Sequence, residues 1–102
     1  MPKMYRQGDV LLLQVTRIPR SAKKSESNVV LKGEVTGHAH CIMGGEIFVF
    51  NATDTMYVRA REDTTLVHDE HAPIKLEPGK YQVIRQREFD PEHPDYNVWV
   101  ED

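Results

Sequence analysis

A single cysteine, Cys41, occurs among the 102 residues, so no disulfide within the chain can staple the fold and burial of apolar surface must hold it together. No apolar run approaches the roughly 20 residues that a bilayer-spanning helix needs, which predicts a soluble protein with no membrane partner. The opening stretch MPKMYRQGDVLLLQV has a short apolar segment, Asp9 in front of it and no small-residue cleavage site behind. That pattern is unlike a secretory signal and predicts a cytoplasmic location. Neither sign of charge dominates: 13 Lys and Arg stand against 16 Asp and Glu, for a net charge of −3. The basic clusters RIPRSAKK (17–24) and RQR (85–87) are each followed by acidic residues, so the chain lacks the electrostatic footprint of a nucleic-acid binder. Internal repeats, low-complexity tracts and a convincing amphipathic helix are also missing.

What is present reads as strands. DVLLLQVTRI (9–18), NVVLKGEV (28–35), EIFVF (46–50), TMYVRAR (55–61), TTLVH (64–68), APIKL (72–76) and KYQVIRQREF (80–89) are rich in β-branched and aromatic residues. Turn chemistry separates them at Gly44-Gly45, Glu62-Asp63, Asp69-Glu70 and Pro78-Gly79. The spacing predicts one all-β domain over 1–102, an antiparallel barrel or sandwich of about eight short strands without a substantial helix. A polar loop at about 19–27 is expected to be mobile. The proline-rich tail 90–102, apolar at Val98, Trp99 and Val100, is expected to dock across one end of the domain or to pair with a second copy in a homodimer.

The chemistry concentrates in TGHAHCIMGGEIFVFN (36–51) and HDEHAPI (68–74), which hold four of the five histidines. With Gly44-Gly45 as a two-residue hairpin loop, Met43 faces Glu46, Ile42 faces Ile47 and His40 faces Val49. Side chains alternate along a strand, so His38, His40, Ile42, Ile47, Val49 and Asn51 then share one face, and Ala39, Cys41, Met43, Glu46, Phe48 and Phe50 share the other. Both faces carry large apolar residues. His-x-His on a strand sends two imidazoles to the same side, within reach of one ion, and convergence with His68 and His71 would supply three or four nitrogens for Zn²⁺, Fe²⁺, Mn²⁺ or Ni²⁺. The alternative is two ordinary polar clusters near strand ends, hydrogen-bonded to backbone and nearby carboxylates.

The His-x-His strand, preceded by a glycine and followed by a glutamate and an aromatic-rich strand, resembles the first motif of the cupins between Gly33 and Phe50. That resemblance implies a double-stranded β-helix holding a divalent metal through three histidines and often a glutamate. Glu46 follows His40 by six positions, where the family has four or five, and is not taken as a ligand. EPGKYQV supplies the Pro-Gly of the family's second motif without its histidine, so His68 or His71 would replace that ligand. YRQGDVLL, GEVTGHAH, HDEHAPI, PGKY and RQREF together resemble a group of small bacterial β proteins with no function attached. At the N-terminal end, GDVLLLQV, a polar loop, NVVL and GEV resemble the bacterial co-chaperonins, whose mobile loop carries an aliphatic tripeptide, here Val29, Val30 and Leu31.

Around the histidines, Asp69, Glu70 and Asn51 are candidates to orient the imidazoles by hydrogen bonding, and Asp69 or Glu70 to act as acid or base beside bound water. Arg59, Arg85 and Tyr81 are candidates to receive an anionic small molecule. Cys41 and His40, adjacent on a strand, point to opposite faces and do not form a nucleophile and base pair. No catalytic residue can be assigned. The readings that follow are a divalent-metal-binding β domain that acts on or senses a small molecule, or a non-catalytic oligomeric assembly module with structural histidines.

Overall fold

Period-two alternation of apolar and polar residues governs the architecture. The computed structural model describes residues 2–32 and 38–85. Within them run ten strands, all paired antiparallel, and no helix: β1 (Met4–Gln7), β2 (Val10–Val15), β3 (Lys23–Lys24), β4 (Val29–Lys32), β5 (Ala39–Met43), β6 (Glu46–Phe50), β7 (Thr55–Ala60), β8 (Thr65–Val67), β9 (Ile74–Lys75) and β10 (Gly79–Arg85). They form a six-stranded sheet in the order β1-β2-β10-β7-β6-β3 and a four-stranded sheet in the order β4-β5-β8-β9. The fold is all-β, as the strand pattern predicts, and the two sheets do not close into a barrel. Among the described residues no helix is long and apolar enough to cross a membrane.

One face of each sheet supplies the core. Val10 and Leu12 of β2, Tyr81 of β10, Val58 and Ala60 of β7 and Ile47 of β6 pack with Val30, Ile42, Leu66 and Leu76. Each fully buried aliphatic side chain contributes about 1.5–3 kcal/mol relative to exposure. Tyr81 lies wholly inside this core, and its hydroxyl donates to the Glu77 carbonyl at 2.6 Å. Burial raises the Tyr81 pKa, so the phenol stays protonated.

The Gly44-Gly45 turn differs from the expected hairpin. β5 pairs with β4 and β8, whereas β6 pairs with β7 and β3, so the turn is a corner that carries the chain from one sheet to the other. Met43 therefore does not face Glu46 in a ladder. The corner is tight: a Cβ on Gly45 would stand 2.8 Å from the Arg59 carbonyl oxygen and 2.9 Å from the Thr64 Cγ2, and Gly44 has φ +87°. Two separate sheets accommodate a segment apolar on both sides more readily than one ladder does. Ile42 and Ile47 meet in the core, while Phe48 and Phe50 are half-buried on the other side of their sheet and Met43 is 51% exposed.

Two strands arise where the pattern is silent. β1 is mostly polar and is recruited by the Gly8-Asp9 turn, and β3 is only Lys23-Lys24 pairing with β6 inside the polar segment. The aliphatic tripeptide of the co-chaperonin resemblance lies in β4, with Val30 in the core, and is not part of a loop. The tail 90–102, and with it His93 and Trp99, lies outside the described residues.

Candidate functional site

The two histidine pairs meet at one end of the sandwich. β5 and β8 are antiparallel with Cys41 opposite Val67 and Ile42 opposite Leu66. Extending that register by one residue sets His68 opposite His40. Ring centroids are 4.3 Å apart for His40 and His68, 4.7 Å for His68 and His71, 5.7 Å for His38 and His68, and 5.8 Å for His40 and His71. These separations put the four rings in one cluster.

The β1–β2 turn of the other sheet forms the floor. Gly8, at φ +56°, lets the backbone pass directly beneath the rings: a Cβ there would lie 2.7 Å from His71 Nε2 and 3.4 Å from His40 Cε1. Gln7, 3% exposed, reaches into the cluster from the end of β1. Its amide nitrogen donates to the carbonyls of Leu66 at 3.1 Å and Ala72 at 2.9 Å, and its Oε1 lies 2.9 Å from His40 Nδ1.

The histidines differ in setting. His40 is 5% exposed, and its pKa is lowered to about 4, first by burial and then by the neighbouring His68 and His71, with Asp9 opposing. It is therefore neutral at pH 7. His38 is half-buried, with Nδ1 3.0 Å from a Glu70 carboxylate oxygen. His68 Nδ1 accepts the Glu70 backbone N–H at 3.0 Å, and His71 is exposed on the same turn. Glu70 thus lies against both pairs, its carboxylate beside His38 and its backbone amide bonded to His68, and Asp69 is exposed beside it. Among the described residues no group of three His, Cys, Asp or Glu side chains stands in an arrangement that could hold a metal ion. The rings are gathered, yet His40 Nδ1 and His68 Nδ1 are each engaged by protein groups.

Other expected residues lie elsewhere. Asn51 sits in the exposed β6–β7 turn, where its carbonyl accepts the Asp54 N–H at 3.3 Å, because β6 belongs to the sheet opposite β5. Tyr81 points into the core, whereas Arg59 is exposed, with its guanidinium 5.2 Å from the centre of the Phe48 ring on the far face of that sheet, so these two do not share a binding surface. Arg85 is exposed at the end of β10. Cys41 is a half-buried free thiol pointing away from His40, as alternation requires.

Gln7, Gly8 and Asp9 are the residues that sequence reasoning missed. Gly-Asp between two strand-like runs signals a two-residue hairpin loop, which is what forms, with Gln7 opposite Val10. Nothing local connects that loop with histidines about 30 residues and more away. No curated protein and no solved structure matches the chain. A family model described as Domain of unknown function (DUF8820) matches residues 6–86, a span that includes both histidine pairs and the Gly8 turn, and the chain belongs to that family.

Proposed function

We propose that the four-histidine cluster takes up a divalent transition metal, with which the protein acts on or senses a small molecule. The observation that carries this reading is the gathering of His38, His40, His68 and His71, from two distant segments, with His68 4.3–5.7 Å from each of the other three and His71 5.8 Å from His40, centroid to centroid. Imidazole suits Zn²⁺, Fe²⁺ and Ni²⁺, and the neutral His40 ring offers a nitrogen lone pair without competition from a proton at pH 7. His71, exposed on its turn, would rotate toward an ion seated on His40, and His38 would exchange its Glu70 contact for the ion. Such an ion, with a coordination position open to solvent, would polarise a bound oxygen or carbonyl group, and the nearby Glu70 carboxylate would hold or accept a proton. The test is metal titration of protein prepared without a histidine tag. Zn²⁺ should bind at one equivalent, and Co²⁺ should give visible d–d absorption. Less than about 0.2 equivalents of any transition metal after reconstitution overturns the reading.

A second reading has its own support. His40, His68 and His38 each have a nitrogen already near a protein partner, in Gln7, the Glu70 amide and the Glu70 carboxylate. This is the pattern of structural histidines, and it favours a non-catalytic module, for which assembly as a homodimer is the accompanying proposal. The same titration separates the two, since structural histidines leave the melting temperature indifferent to added metal.

A further inference from the structure

Gln7 differs from every other polar residue near the histidines in being buried and committed at both ends of its amide. The Leu66 and Ala72 carbonyl oxygens within 3.1 Å and 2.9 Å can only accept, so the NH₂ group must face them, and flipping the amide would set oxygen against two oxygens. Oε1 is then the atom 2.9 Å from His40 Nδ1, and an amide oxygen can only accept. The proton is therefore on His40 Nδ1, and in the neutral ring the lone pair is on Nε2. The two carbonyls lie just before His68 and just after His71, so one side chain ties down both ends of the second histidine pair while it orients the first.

We infer that Gln7 is a positioning residue, which fixes His40 as the Nδ1–H tautomer and presents its Nε2 lone pair to the cluster. This role rests on the metal reading of the same site. Metal-bound imidazoles generally donate their remote N–H to a fixed acceptor, and loss of that acceptor weakens metal binding roughly 10–100-fold. A glutamine suits this position where a carboxylate does not, because only an amide can accept from His40 and also donate to Leu66 and Ala72.

Two variants separate positioning from mere packing. Gln7→Leu removes the acceptor, whereas Gln7→Glu keeps an acceptor for His40 Nδ1 and sets a carboxylate against the two carbonyls, which harms packing at least as much. Long-range ¹H–¹⁵N spectra of the metal-free proteins should show His40 as Nδ1–H in the wild type and in Gln7→Glu, and a mixture with Nε2–H in Gln7→Leu. Calorimetric Zn²⁺ affinity should fall roughly 10–100-fold in Gln7→Leu and less in Gln7→Glu. A wild-type His40 protonated on Nε2, or Zn²⁺ binding equally weakened in both variants, overturns the inference. The metal-free wild-type spectrum requires neither a variant that folds nor a metal. A wild type that takes up no Zn²⁺ therefore sinks the metal reading, and Gln7's hold on His40 is decided by the tautomer alone.

Discussion

At the scale of single residues, His40 and Gly8 make the most specific demands. The folded-state pKa of His40, about 4, lies below its ordinary 6.5, so the unfolded chain takes up the proton first as the solution is acidified. The stability that His40 contributes by staying neutral is complete above about pH 6.5, declines as pH falls toward 4 and is constant below that. Metal-free wild type should lose on the order of 2 kcal/mol more than His40→Gln between pH 7.5 and 4.5, with allowance for solvent near the cluster, as read by denaturant unfolding. Parallel pH profiles for the two proteins would contradict the assignment. Gly8→Ala should cost about 1 kcal/mol or more, because φ +56° strains an L-residue and the methyl group would displace the His71 ring. The same substitution should weaken Zn²⁺ binding, and calorimetry on the folded variant checks it.

At the scale of elements, the join between the two sheets depends on Thr64 at the entry to β8. Its buried hydroxyl accepts the Arg61 N–H at 2.7 Å and donates to the Gly44 carbonyl at 3.1 Å, so the β7–β8 turn is bonded to the corner between β5 and β6. Its carbonyl accepts the Leu76 N–H at 2.9 Å and brings in the segment that follows β9. Thr64→Val preserves shape and removes both of these part-buried hydrogen bonds, a loss of about 1–2 kcal/mol. Chemical denaturation should show a lower midpoint with an unchanged slope. By contrast, the Arg61 and Glu46 pair on the surface, which holds the Glu46 pKa down, should contribute little, because water screens it.

At the scale of the whole molecule, the two sheets have four edges among the described residues, at β1, β3, β4 and β9. β3 and β9 are two residues long and offer little to a partner, while β1 and β4 present four residues each. An isologous pairing through one of these edges, or through the Val98, Trp99 and Val100 segment expected to cover a neighbour, would build the proposed homodimer. Light scattering at tens of micromolar should return about 24 kDa, twice the 11.8 kDa of one chain, and deletion of 96–102 should shift it toward the monomer. A mass near 12 kDa for the full chain would rule the dimer out.

The sequence by itself determined what depends on neighbours along the chain. Because side chains alternate on any strand, His38, His40 and Ile42 must share a side whichever strand they pair with, and the structure keeps that face while changing the partner from β6 to β8. Runs such as EIFVF and TMYVRAR specify strands for the same local reason, and Gly-Gly and Gly-Asp specify bends. Which strands become neighbours is set by closure of the core, where Ile42 and Leu66 pack together from positions 24 residues apart, and no local period encodes that choice. Asn51 left the histidine face for this reason, and Gln7 joined it across separations of 33, 59 and 65 residues. The histidines could be read as candidates from their spacing. The buried amide that orients them exists only once β1 is docked beside the end of β8, because a single glutamine in a polar stretch carries no signal until its hydrogen-bond partners are brought to it.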